Sequence, residues 1–452
     1  MTDEFRIMGI GLLGAGFSAT SLRNGLAMKP DVIASDGGTS DKGPYFLGAG
    51  VADIRGIRRD LELLIPGARS VGAPLLFGSV GTAGGDAQVD TVTDIALAVA
   101  RDLGIPLRVA SLRSELDPDY LRKLVADGKV TPHTEVPELT ADDIATSLRF
   151  VSMMGAEPFC EALDAGADVV IGGRAVDPAM FAAPMLNAGF DPGLAWHLGM
   201  AMDKGPMITV PTQAGSCIIA VTDGKDAVIS PTRERVTCTP RSVSATLVYE
   251  SADPNRSVFP SGTLDLSAAR YEREDDRSVR IGGASWTSAD RYTVKVEGVR
   301  YVGERAATML GIRDPFLIAD LDNFLESTCA VAARNLELLG IEPDTYQVRF
   351  RVYGRDGVMG ALEPCRDQVS HEIGVMVEAV AESDDVAGVI VDRFAAIAHR
   401  VEFEHRLTTA GNTATPFSGP PLSGGPVYEW SAWHIAEPEC WQDTCRIEYT
   451  DV

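Results

Sequence analysis

Through the first half of the chain, apolar and polar positions fall into one recurring unit. A short apolar run leads into a glycine-rich turn and then into apolar residues at helical spacing. Arg6–Gly11 reads as a strand, followed by the turn Leu12-Leu-Gly-Ala-Gly-Phe-Ser18 and a helix through Ala27. Asp31–Ser35 and Pro74–Ser79 are the next strands, each ending in a Gly/Asp loop. Beyond the third strand, Val89, Val92, Ile95 and Val99 have the spacing of a helix with one buried face. A strand at Leu107–Ser111, helices near Ala141–Phe150 and Pro158–Ala165, and a strand at Asp168–Gly172 complete the series. Strands alternating with helices build βαβ units. The fold expected of this half is therefore α/β, a mostly parallel sheet with flanking helices. Ligands of such sheets bind beyond the carboxyl ends of the strands, which is where the Gly/Asp loops fall.

The texture changes near residue 205. Pro206–Pro211, the hairpin-like Cys217–Ser230 and the Thr/Ser/Val stretch Val236–Tyr249 read as β structure, and Glu250–Arg280 as a polar, loop-rich segment. Tyr292–Val296 reads as a strand, Phe316–Leu339 as a long helix, and Tyr346–Tyr353 as a strand partnered by His371–Val380. A helix at Asp385–Ala398 and a Pro/Gly-rich tail ending in a short strand around Val427–Ile435 follow. Segregated strands and helices predict an α+β domain. The expected division is an α/β domain over 1–205 and an α+β domain over 206–452.

Composition narrows the function. Hydrophobic residues make up 45% of the 452 positions, enough for large cores. The net charge of −24 repels phosphate backbones and argues against nucleic acid, while a few arginines in a cleft could still hold a small anion. No apolar run is long enough for a bilayer, and the polar start resembles neither a secretory signal nor a transit peptide, so a cytoplasmic protein with no membrane partner is expected. The seven cysteines form no C-x-x-C pair and imply no disulfide framework. Cys440 and Cys445 lack the second pair that a zinc site needs, and no metal site is assigned. No His-x-x-His pattern and no G-x-S-x-G elbow occurs, which leaves nucleophilic serine chemistry unsupported.

The candidate chemistry lies in the loops. Asp36-Gly37-Gly38-Thr39-Ser40-Asp41 puts two carboxylates and two hydroxyls on one turn, where glycines can bare backbone N–H groups to an anion. Ser79, Gly81, Thr82, Gly84, Gly85 and Asp86 repeat that design at the start of a helix, which favours an anionic group. Each loop taken alone equally fits a strand-to-helix turn with Asp86 as its cap. Arg113 beside Glu115, and Arg174 beside Asp177, offer a bidentate grip on a carboxylate or an internal ion pair. Glu157 opens a helix as a cap or a base. Gly14-Ala-Gly16-Phe-Ser-Ala19 fits the G-x-G-x-x-A turn of dinucleotide sites, with Asp36 near the ribose position, and equally fits close helix–strand packing.

Several stretches together resemble the acyclic terpene utilization AtuA-like family. They are Pro30–Gly48 around Asp36-Gly-Gly-Thr-Ser-Asp41, Gly78–Asp86, Gly172-Gly-Arg-Ala-Val-Asp-Pro-Ala-Met-Phe181, Gly311-Ile-Arg-Asp-Pro315, and Pro416-Phe-Ser with Gly424-Gly-Pro-Val-Tyr428. The resemblance implies an intracellular bacterial protein in the breakdown of branched acyclic terpenoid or related acids, by pathways that run through CoA thioesters. Some relatives carry an added ferredoxin-like C-terminal domain. This chain is expected to lack it, which leaves room for a separate small subunit beside a homo-oligomer. The reading expected is a lyase (a hydro-lyase) adding or removing water on a branched unsaturated carboxylate or its CoA thioester. Asp36, Asp41, Asp86 and Glu157 are its acid–base candidates, and the cofactor is left unassigned. The alternatives are a nucleotide- or NAD-dependent enzyme using Gly14 and Gly16, or a non-catalytic acyl-binding subunit.

Overall fold

The computed structural model describes residues 4–50, 52–248, 252–368 and 370–452. Two compact units emerge, Met1–Arg300 with Trp430–Val452, and Tyr301–Glu429. This division differs from a split at residue 205, because the strands that follow that point join the first sheet.

The first unit is built on a ten-stranded sheet. At its centre lie five parallel strands in the order Phe5–Leu12, Val32–Asp36, Leu75–Gly78, Val169–Gly172, Arg108–Arg113. Ile218–Thr222 and Ala227–Pro231 extend it antiparallel on the Phe5–Leu12 side, followed by Val279–Gly282 and Arg270–Arg273. On the other side Arg446–Asp451 pairs antiparallel with Arg108–Arg113. The sheet is thus partly parallel, and the expectation of a mostly parallel one is corrected by these antiparallel flanks.

The parallel strands read as unbroken apolar runs because both faces are buried. Ile7, Ala34, Leu76, Val170 and Ala110 pack under the helices Glu157–Asp164, Ala179–Asn187 and Pro192–Asp203. Met8, Ile33, Phe77, Ile171 and Val109 pack under Ile54–Val71 and Asp86–Leu103. Neighbouring strands Leu75–Gly78 and Val169–Gly172 therefore send their chains to opposite faces. Such a switch point opens a crevice at the carboxyl ends of the strands.

Local differences from the sequence reading have plain causes. Ile54–Val71 is a helix of 18 residues capped by Asp53, which the interior Pro66 hides from pattern reading. Among the described residues of Val236–Tyr249 there is only a two-residue strand, Thr237–Cys238, because Thr239 and Pro240 start a capped helix over Pro240–Leu247. Glu250–Arg280 is not merely loop but contains Arg256–Phe259, Gly262–Asp265 and Arg270–Arg273 as strands. Tyr249–Ser251, where those two expectations meet, lie outside the described residues. The tail strand is far longer than expected, Leu422–Ala436.

The second unit is sheet-rich. Residues Glu304–Ile312 of the strand Val294–Ile312 pair antiparallel with Ile373–Ala381, which pairs antiparallel with Gln347–Tyr353. Leu321–Glu337 and Asp384–Ala398 cover one face through Phe324, Leu336, Ile390 and Phe394. Among the described residues no helix is long and apolar enough to cross a membrane.

Candidate active site

Three loops meet at the switch point and lock together through their backbones. Gly37 N–H donates to Gly78 O at 2.7 Å and Thr82 N–H to Gly37 O at 3.2 Å. Ser79 N–H donates to Gly173 O at 2.9 Å and Arg174 N–H to Gly84 O at 3.0 Å. The glycines here permit close approach: a Cβ on Gly38 would lie 2.3 Å from the Cα of Thr82, and one on Gly84 would lie 2.3 Å from the Arg174 nitrogen. Gly38 also has φ +143°, so Gly38→Ala is expected to cost about 2–4 kcal/mol through strain and overpacking. A denaturant titration checks this, and an unchanged midpoint would show that the loops can part freely.

At the centre of the junction lies a buried ionic network. Arg174 is 3% exposed and Glu297 1%. The guanidinium Nε lies 3.2 Å from Glu297 Oε2 and Nη2 lies 3.3 Å from Oε1. Arg174 also donates to Ser40 Oγ at 2.9 Å and to Ser79 Oγ at 3.3 Å. Ser40 Oγ donates to Glu297 at 3.1 Å, and Lys295 Nζ lies 3.0 Å from the same carboxylate. Burial alone would raise the Glu297 carboxyl, but Arg174 and Lys295 outweigh it and hold it below its ordinary value. Burial pulls the Lys295 ammonium down against the attraction of Glu297, and that ammonium sits 3.3 Å from the centre of the Trp433 ring.

Beside this network opens a cleft of about 360 Å³, with Asp36, Asp41, Asp177, Asp203 and Lys204 among its lining residues. Asp177 Oδ1 lies 4.0 Å from Arg174, and Lys204 pairs with Asp203 at 2.9 Å. The Asp36 residue keeps some exposure, yet its Oδ1 is sealed from solvent and has no hydrogen-bond partner, while Oδ2 accepts from Gly38 N–H at 3.2 Å. Burial first, then the carboxylates of Asp177 and Asp203, push the Asp36 carboxyl well above its ordinary value, against Arg174 and the Gly38 N–H. A carboxyl so placed keeps its proton where ordinary carboxylates have lost theirs, and can donate it.

The structure brings Asp36–Asp41, Ser79, Arg174 and Asp177 together. Other candidates lie in different surroundings. Asp86 and Glu115 face each other through reciprocal bonds, Asp86 N–H to Glu115 at 2.8 Å and Glu115 N–H to Asp86 at 3.3 Å. Arg446 lies 2.8 Å from Asp86, and burial raises both carboxyls. Arg113 is held between Asp90 at 2.6 Å and Glu448 at 3.0 Å, an ion-pair setting beside the edge strand Arg446–Asp451. Glu157 accepts from Tyr292 Oη at 3.2 Å. Gly14 and Gly16 adopt φ +88° and +83° as a dinucleotide turn would, but their N–H groups donate to the buried Asp60 carboxylate at 2.9 and 3.3 Å. An internal carboxylate thus occupies the donors a pyrophosphate would need. Among the described residues no cluster of His, Cys, Asp and Glu could hold a metal ion.

Sequence reasoning missed Glu297, Lys295, Asp203 and Asp60. The alternation Val294-Lys-Val-Glu297 reads as a strand with one wet face, and nothing local says that this face meets Arg174. The available signal was an acidic residue two positions from a lysine opposite two buried valines.

A family model described as acyclic terpene utilisation family protein AtuA matches residues 79–192 and 199–416. No curated protein and no solved structure matches the chain.

Proposed function

Because the chain belongs to the acyclic terpene utilisation AtuA family, we propose that it serves that process as a hydro-lyase acting on a branched acyl thioester. The observation that carries the reading is Asp36, a residue lining the cleft whose shielded carboxyl has one unpartnered oxygen and a raised proton affinity. In the dehydrating direction Asp36 donates its proton to a β-hydroxyl, which departs as water. Asp177, lining the same cleft, takes the α-proton, and solvent returns it to Asp36. Atoms balance as hydroxyacyl thioester to enoyl thioester plus water.

The cleft's charge selects between the two substrate forms expected from the sequence. With Asp36 carrying its proton, Asp41, Asp177 and Asp203 against one lysine still disfavour a free carboxylate at the reacting end. A thioester is neutral there and fits. The loop N–H groups spent on one another are not a free anion cradle, so the loops' role in this reading is to position Asp36 and Arg174. The test uses purified protein with branched 3-hydroxyacyl- and 2-enoyl-CoA thioesters and follows the absorbance of the conjugated alkene. Turnover that disappears in Asp36→Asn is the expected result, and no turnover across the panel by folded protein would overturn the reading.

A further inference from the structure

Beside the acidic cleft lies a second groove of about 210 Å³ that shares the lining residues Asp177, Asp203 and Lys204 with it. Away from those shared residues its character changes to apolar: Met153, Val176, Met200, Leu247, Val258 and Phe259 contribute to its lining. The wall is preformed. Phe259 stacks on Trp196 with ring centres 4.3 Å apart, Trp196 stacks on Trp286 at 5.5 Å, and Leu247 is 1% exposed at the end of its helix. Flat aromatic stacks of this kind hold their shape without a ligand. Neither the buried ionic network nor the acid–base step uses the apolar wall of this groove.

We infer that the groove is the specificity pocket for the branched hydrocarbon end of the substrate whose polar end lies in the cleft at Asp36. The occupant is argued from adjacency and chemistry. The two spaces share three lining residues, so they lie side by side within the span of one extended molecule. Charge is confined to the shared rim, so an apolar group gains by passing beyond it and a charged one does not. Size sets the length: an apolar cavity of about 150 Å³ takes a benzene molecule, so this groove admits a branched group of roughly six carbons and excludes the bulky nucleotide part of coenzyme A.

The inference rests on the proposed acid–base site only for which end of the molecule reacts, and its test does not depend on turnover. The probes are N-acetylcysteamine thioesters of linear and ω-branched saturated acids of increasing length, with binding measured by calorimetry. They carry no β-hydroxyl or alkene and cannot react. Affinity is expected to rise about three- to fourfold per methylene until the chain carries roughly six carbons, then to level. Asp36→Asn should keep that dependence, whereas Met200→Trp should abolish it and leave the shortest probe unaffected. Should Met200→Trp fail to fold, Val258→Asp at the 78%-exposed rim is expected to weaken the longer probes about tenfold. Absence of binding, affinity independent of chain length, or a folded Met200→Trp or Val258→Asp chain that binds like the parent would each overturn the inference. Chain-length-dependent binding without any turnover of hydroxyacyl thioesters would instead uphold the groove and remove the hydro-lyase reading.

Discussion

A chain carrying Glu297→Ala is expected to lose about 3–5 kcal/mol of folding stability, the usual result of stripping one partner from a buried ion pair. Glu297 is 1% exposed and answers two cations, Arg174 at 3.2 Å and Lys295 at 3.0 Å. Without it the guanidinium keeps the hydroxyls of Ser40 and Ser79 and the more distant Asp177 carboxylate at 4.0 Å, and the lysine retains its ring contact with Trp433. The loss is a large share of the roughly 5–15 kcal/mol that a folded domain commands. Denaturant unfolding of the variant measures it. The double change Arg174→Met with Glu297→Leu should recover much of the deficit, since apolar groups of similar volume often replace a buried pair at little cost. A Glu297→Ala loss below about 1 kcal/mol, the range of an exposed pair, would mean that water reaches the network. The sign with pH also follows. Glu297 is held below its ordinary value, so its stabilisation is present above the unfolded-state value and is lost as pH falls through the folded one.

Asp36→Asn is expected to do two opposite things. Turnover in the proposed reaction should fall by about 10²–10⁴, the range for removing a general acid. Stability at neutral pH should rise by about 1–3 kcal/mol, because the parent must take up a proton at the poorly bonded Asp36 in order to fold and asparagine needs none. The sign runs opposite to that of Glu297. Asp36 binds its proton more tightly in the folded chain than in the unfolded one, so folding of the parent weakens as pH rises from the unfolded value through the folded value. The gain from Asp36→Asn should therefore grow across that window and vanish below it. Thermal or denaturant unfolding at several pH values reads this directly. A variant that is less stable than the parent at every pH would show that Asp36 is a structural carboxylate.

Much of the first unit is legible in the chain itself. The parallel strands end within a residue or two of where their apolar runs end, since a strand buried on both faces must be continuously apolar. The Asp36–Asp41 turn and the Gly173–Asp177 turn were readable as strand-end loops for the same reason. What misled was texture. The Thr/Ser/Val run at Val236–Leu247 has β-like composition, but a capping box at Thr239 and Ser242 makes it a helix. Arg113 and Arg174 look equivalent in sequence, each beside a carboxylate. Only sheet order sets Arg113 at the seam with Arg446–Asp451 and Arg174 at the switch point.

The sequence by itself determined the parallel strands of the first unit, where their loops fall, and that the loops are dense in Gly and Asp, because period and turn chemistry are local properties. The tertiary structure decided which loops meet, that their glycines serve close packing, and that Glu297 and Lys295 close the site from more than 100 residues away along the chain. It also raised the proton affinity of Asp36 through burial and the neighbouring Asp177 and Asp203. Proton affinity in a protein depends on burial and on the charges assembled around a group, and both exist only once the chain is folded.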